Sequence, residues 1–319
     1  MLPGFPVETE EMEMTKTGVA KKKKDYNRWG YLFVLPFVIV FLVFSIYPVL
    51  RTLYLSLTSY KGYGDAVWIG IDNYIRVFKD RFFWRDLWNT VKIWGVNIIL
   101  QIGLAFLLTI IFSDIKYKVK GLSVFRAVFY LPNLIAATSV AFLFKTLLDW
   151  KYGTFNQMLM TLGLTDQQIN WMGTVSTAPW VISIIQTWMW FGNSFIVLMA
   201  AVQGINPDYF EAAAIDGAGR WTVFRKITLP LIRPILLYVL ITSLIGGLQL
   251  FDLPFLMNGV APGTAGEPSG ALQTAVMYLY KFGFETRQVG YASAIAYTLF
   301  FIILIVSIIK FKTIGKEEE

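Results

Sequence analysis

Residues 211–234 read EAAAIDGAGRWTVFRKITLPLIRP, a polar island between two long apolar runs. Glu211, Ala212, Ala213 and Ala214 favour a helix. Gly217 and Gly219 interrupt it, and glycine is the residue most able to turn a chain. Trp221 to Ile227 leaves room for another helical turn or two. Pro230 closes the segment. Pro234 opens the next apolar run, in the first turn, where a missing N–H is tolerated. The stretch predicts a short helix, a bend, a second short helix and re-entry into an apolar environment. Its small side chains would let another backbone approach closely, and Arg220, Arg225, Lys226 and Arg233 make it basic. Two readings stand at this point: a docking surface, or a plain connector between two membrane spans.

Composition sets the context. The chain is 56% hydrophobic and 15% charged, with 17% aromatic residues. Ordinary soluble domains are less apolar and far more charged. There is no cysteine and no histidine. Disulfides, thiolate metal sites, cysteine or histidine nucleophiles and histidine ligands are therefore excluded. The net charge is +7, but the basic residues gather in loops and tails. That pattern fits membrane orientation rather than nucleic-acid binding.

Outward from the island, the chain reads as an all-α polytopic membrane protein with six spans. Residues 1–28 are polar, with Glu8, Glu10, Glu11 and Glu13 ahead of Lys21 to Lys24 and Arg28. They read as a basic cytoplasmic tail rather than a signal peptide, because the following apolar run is long and ends without a small-x-small site. Spans are expected at about 30–50, 89–112, 125–147, 179–203, 233–254 and 290–309, each near the ~20 residues needed to cross a bilayer. Residues 51–87 are expected to be partly helical and near the interface. Pro132-Asn133 and the small run Ala136, Ala137, Thr138 and Ser139 predict a bend and close helix contact in the third span. Lys116, Lys118 and Lys120 mark the 113–123 loop as cytoplasmic. So does the basic character of the 204–232 loop and of both tails, including Lys310, Lys312 and Lys316. The loops at 148–177 and 255–288 lack that excess and are expected outside. Only the 51–87 loop, which also carries Lys and Arg, dissents from the charge rule.

Polar stripes within the spans mark where a solute could sit. Asn97 and Gln101 share one face of the second span, and the first expectation for them is hydrogen bonding between helices. Gln186, Trp190 and Asn193 fall on one stripe of the fourth span, with Met189 beside them. Amides satisfy sugar hydroxyls and an indole stacks on the apolar face of a sugar ring. The alternative is a polar seam to a neighbouring helix. Ser243, Gly247, Leu250 and Phe251 share a face of the fifth span, which Gly246-Gly247 thins. Asp252 is expected toward its outer end, solvated at the interface.

The spacing of the opening stretch adds a resemblance. Glu211-Ala212-Ala213, three residues, Gly217, nine residues, then Ile227-Thr228-Leu229-Pro230 is similar to the "EAA" signature of inner-membrane permeases of binding-protein-dependent ABC importers. The longer string YFEAAAIDGAGRWTVFRKITLPLI resembles the maltose and multiple-sugar branch. Leu131-Pro132, Trp150, Gly153 and Asn156 resemble the same branch more weakly. The resemblance implies a type I ABC importer permease fold. Residues 29–87 would form the first span and its loop, 88–311 the permease core and 312–319 a cytoplasmic tail. It implies that Glu211, Ala212, Ala213, Asp216, Gly217, Ile227, Leu229 and Pro230 couple to a cytoplasmic ATPase dimer. It also implies that the spans flanking this loop line the pathway, through Gln186, Met189, Trp190, Asn193, Ser243, Gly247 and Leu250. Implied partners are a second homologous permease and an extracytoplasmic solute-binding protein, in the inner membrane of a bacterium or archaeon. The external loop departs from the branch: MNGVAPGTAGEPSGALQT replaces the Thr-x-Gly-Gly-Pro-like turn usual there.

No G-x-x-x-x-G-K-[ST] phosphate loop occurs in the sequence, so no cofactor is expected on this chain and ATP with Mg belongs on the partner ATPase. Two competing functions remain: import of a non-sugar solute, and an integral-membrane enzyme built on Asp208, Glu211 and Asp216.

Overall fold

The computed structural model describes residues 26–112, 121–258 and 269–315. The acidic patch and Lys21 to Lys24, the Lys116–Lys120 cluster, Pro262, Gly263, Gly266 and Pro268 of the external loop, and Lys316 lie outside the described residues. The described residues are helical apart from short connections and one isolated bridge, Thr58 to Trp68. Among the described residues five helices are long and apolar enough to cross a membrane, and there are six spans when the pair bent by 90° is counted as one. The chain divides into two compact units, residues 1–51 and 52–319.

In the first unit a helix runs over Tyr26–Phe41, widens by one π-type turn at Leu42–Ile46 and resumes at Tyr47. Phe33, Phe37, Val40 and Phe44 are among its many exposed apolar side chains. A lipid environment satisfies such a rod, because its backbone polar groups are paired internally.

The second unit is organised around the fourth span, Ala178–Gln203, more than half of which is buried. It packs most closely on the second span, Arg81–Phe112. Lipid supplies no hydrophobic drive between helices, so polar and packing contacts must hold them together. Three rungs do so along this pair. Ser183 Oγ donates to the Ile93 carbonyl at 3.0 Å, Thr187 Oγ1 to Asn97 Oδ1 at 3.1 Å, and Gln101 Nε2 to Ser194 Oγ at 2.7 Å. Asn97 and Gln101 thus form the interhelical seam expected of them. Phe129 of the third span packs against Phe191 and Phe195 on another side of the fourth, with both ring pairs 5.8 Å apart.

Two spans differ from their simple sequence reading. The third is not one bent rod but two helices, Leu122–Leu134 and Ala137–Leu147, set 90° apart. Ile135 and Ala136 are both extended between them, with ψ of 131° and 137°. The fifth breaks as well. Arg233–Leu248 ends, Gln249 to Phe251 leave the helix, and Asp252–Asn258 begins another. The carbonyl freed at Leu250 accepts a hydrogen bond from Thr274 Oγ1 at 2.7 Å. Leu253 and Met257 beyond the break join Val140 and Ala141 from the second half of the third span in one buried cluster.

The loop after the first span is partly helical, as expected, and part of it is buried. Its helix, Asp72–Lys79, buries Asn73 and Val77. Asn73 Nδ2 donates to the carbonyls of Ser56 and Thr58, each at 2.9 Å. The helix lies against the sixth span, Val289–Gly315.

Candidate functional site

A cavity of about 510 Å³ opens where the second, fourth and fifth spans meet the break in the third. Gln186, Met189, Trp190 and Asn193 border it from the fourth span, and Ser243, Gly247 and Leu250 from the fifth. These seven residues, chosen from separate helices, share one space. Their surroundings differ. Met189 and Leu250 are buried in an apolar cluster, whereas Trp190 is exposed. Asn97 and Gln101 also reach the cavity edge while holding the seam.

The cavity has members that the sequence reading did not place there: Trp94, Asn133, Tyr238, Thr242, Gln249 and Asp252. Trp94 was legible in principle, because 94, 97 and 101 fall on one helical stripe. Its indole crosses from the second span to the fifth, where Nε1 donates to Ser243 Oγ at 3.3 Å. A Cβ on Gly247 would lie 1.9 Å from Trp94 Cδ1. Gly247 is therefore the seat that lets the ring in. Asn133 and Gln249 sit at the two helix breaks. Asp252 is exposed, in keeping with the solvated position expected of it, and also borders the cavity. The polar groups here are mostly amides and hydroxyls, which both donate and accept. Next to indole faces, they suit a solute covered in hydroxyls.

The fourth span leaves the cavity and ends at Gln203, and the 204–232 loop follows at its far end. The loop forms as its residues direct. Asn206 Oδ1 accepts from the Asp208 N–H at 3.1 Å, and a helix runs over Asp208–Ile215. Gly217 ends it at φ +70°. The Gly217 N–H reaches the Ala214 carbonyl at 3.2 Å and the Ala218 N–H reaches Ala213 at 2.9 Å. This paired closure of a helix end needs the left-handed conformation that glycine adopts without strain. A second helix, Arg220–Val223, widens over Phe224–Thr228 and joins Leu229–Leu231.

Ala213 is buried beneath this helix, while Glu211, Ala212, Asp216 and Gly217 are exposed. Ala212, Asp216 and Ile227 border one recess with Tyr209 and Lys226. Glu211 and Gly217 border another with Thr109 and Ile110 at the end of the second span. Leu229 and Pro230 border neither and begin the re-entry toward the fifth span. Tyr209, Ile215 and Trp221 are exposed apolar side chains. Trp221 stacks on Phe224, which meets Phe106 of the second span edge-on at 5.7 Å.

The opposite end is tied tightly. Asp80 Oδ2 accepts hydrogen bonds from the hydroxyls of Tyr278 and, at 2.8 Å, Tyr291. Burial lifts the Asp80 carboxyl, but those hydroxyls and the N–H groups of Phe82 and Phe83 outweigh it and hold the group below its ordinary value. The Arg76 guanidinium lies 3.8 Å from the Tyr291 ring centroid and donates to Gln288 at 2.8 Å. Arg85 pairs with buried Asp86 at 2.8 Å and donates to Gln273 at 2.9 Å. Arg76 and Arg85, two of the basic residues that set the 51–87 segment against the charge rule, are thus engaged in contacts within the chain. Asn89 Nδ2 adds a bond to the Gly270 carbonyl, and Thr274 caps the helix Ala275–Tyr280.

Comparison with known proteins gives consistent matches. Residues 105–314 match the family described as "Binding-protein-dependent transport system inner membrane component". The probable ABC transporter permease protein YesP of Bacillus subtilis is 33% identical, covering 94% of this chain and 96% of that one. The lactose transport system permease protein LacF of Rhizobium radiobacter is also 33% identical, over 93% of this chain and 98% of that one. Among solved structures, a bacterial ABC transporter involved in import of the acidic polysaccharide alginate superposes with a TM-score of 0.79 at 25% identity. It covers 91% of this chain and 96% of the matched chain.

Proposed function

Because the chain belongs to the family of binding-protein-dependent transport system inner membrane components, we propose that its cavity is half of a sugar pathway and that the 204–232 loop couples this pathway to a separate ATPase. The chain is an ABC transporter permease, a transport subunit rather than an enzyme. The observation carrying the proposal is continuity: the fourth span borders the cavity and runs directly into the exposed loop, and the fifth returns from it.

On this reading the loop enters a cleft of one subunit of a cytoplasmic ATPase dimer, where ATP and Mg bind. Glu211, Ala212, Ala213, Asp216, Gly217, Ile227, Leu229 and Pro230 shape or support that contact. A second related permease completes the pathway. An external binding protein delivers the solute to the end clamped by Asp80, Tyr278 and Tyr291. Both termini are cytoplasmic. Gln186, Trp190, Asn193 and Ser243 contact the sugar, while Met189, Gly247 and Leu250 shape the wall. Lactose transport by LacF and alginate import by the superposed transporter, as their names state, support a saccharide cargo.

Uptake by the complete complex in liposomes, across sugars, peptides and ions, tests the function. Saccharide uptake is expected, and uptake confined to peptides or ions would overturn the sugar assignment. Trp190→Ala and Asn193→Ala should each raise the KM for uptake while ATPase assembly is retained. Unchanged kinetics for both would remove that stripe from the pathway.

A further inference from the structure

The charge of the cavity wall bears on which saccharides can pass. The chain has 28 Lys and Arg residues, yet among the described residues bordering the cavity none is basic. The single carboxylate among those residues is Asp252, which is exposed at the start of the helix after the break in the fifth span. The other polar lining groups are uncharged, Gln186, Asn193, Thr242 and Ser243 among them. Lys92, Arg126 and Lys145 lie within helices of the bundle but do not border the cavity. Arg76 and Arg85 are engaged at the clamped end, and Lys226 borders a recess of the 204–232 loop.

A sugar carboxylate that gives up water to bind a wall needs a cation or several aimed donors, and arginine is the usual partner because its planar fork matches the carboxylate. A wall that supplies only a carboxylate adds like-charge repulsion to desolvation. An uncharged saccharide meets neither cost, since its hydroxyls pair with amides that donate and accept. This chain shares its fold with an importer of an acidic polysaccharide, so the fold itself does not set the charge of the cargo. The cavity lining is where such a difference would arise.

We propose that this chain's half of the pathway selects uncharged saccharides against uronic-acid saccharides, with Asp252 as the residue that repels the anion. The inference rests on the saccharide reading above and narrows it. It assigns Asp252 a discriminating role rather than one in holding the sugar.

The test is uptake by the complete complex in liposomes, using matched pairs of probes: neutral di- and trisaccharides, and the same compounds oxidised at C6 to uronates. The neutral members should be taken up and the uronates at less than about one tenth of their rate, the scale set by like-charge exclusion. Asp252→Lys should raise the uronate-to-neutral uptake ratio on the order of tenfold. The external binding protein is the same in both arms, so its own preference cancels from that comparison. Asp252→Asn, which keeps size and polarity, should move the ratio in the same direction by less. Uronate uptake equal to neutral uptake in the unmodified complex would overturn the proposal. So would a ratio that stays fixed in both Asp252 variants. Uptake of no saccharide of either class, with uptake of another solute, would instead remove the saccharide reading on which the proposal stands.

Discussion

At the clamped end, Asp80 takes hydrogen bonds from two tyrosines on distant parts of the chain, and Arg76, Arg85, Asn89 and Thr274 add cross-links between loops and spans. At the 204–232 end, the Asp208–Ile215 helix rests on Ala213 and its neighbours, and Ile215 is 87% exposed. Both ends contain a short helix beside a span. One is satisfied within the chain. The other keeps a well-defined backbone while leaving its outer surface open. A segment can be locally rigid and still incomplete, and that combination suits transmission of movement from a second protein. The clamped end has the opposite design, with its short segments hydrogen-bonded to residues far along the chain.

The largest expected effect tests the open end. Gly217→Val forces a β-branched residue into the left-handed region, at a local cost of about 1–2 kcal/mol, and displaces the surface beside Glu211. Transport should fall on the order of a hundredfold, as for loss of an interface hot spot, while the detergent-solubilised chain keeps its helix content by circular dichroism. Normal transport in this variant would make the loop a simple connector and erase the contrast.

An intermediate effect tests the clamped end. Asp80→Ala strands two tyrosine hydroxyls and should destabilise the purified chain by about 2 kcal/mol, read as a lower Tm. Asp80 has a depressed folded value, so its contribution is fully present above its unfolded value near ~4. It is lost as pH falls through the lower folded value. The Tm gap between the unmodified chain and Asp80→Asn should therefore shrink from about pH 7 to about pH 3. A gap independent of pH would show that the carboxylate does not hold this end together.

A smaller effect lies between the two ends. Gly247→Ala places a methyl in the seat of Trp94 and should cost about 1–3 kcal/mol in packing strain. Tryptophan emission should shift and the KM for uptake rise several-fold. Neither change would be seen if Trp94 can turn freely in the cavity.

The long spans were readable because twenty apolar residues have few alternatives in a membrane protein. The second, fourth and sixth helices end where their apolar runs suggest, apart from extensions such as Arg81 to Trp88. The 211–230 stretch was readable because its glycine and proline signals act locally. The right-angle break at Ile135–Ala136 was not. Pro132 signalled a bend, but the angle depends on what the following helix packs against. The break after Leu248 was still less visible, since the partner that satisfies it, Thr274, lies far along the chain. Reading each helix by itself found the Gln186–Asn193 stripe and the Ser243–Gly247 face. It overlooked Trp94, whose place depends on a glycine on another span.

The account turns on whether the open face of the 204–232 loop is covered by the ATPase. Because the chain has no cysteine, Ile215→Cys and Tyr63→Cys each introduce a single reporter, one on the loop and one on the exposed segment near the clamped end. Thiol labelling is then followed in the permease pair with and without the ATPase dimer. The account predicts fast labelling of both without the ATPase, and strong protection of Ile215→Cys alone when it is bound. Equal labelling of Ile215→Cys in the two states would contradict it.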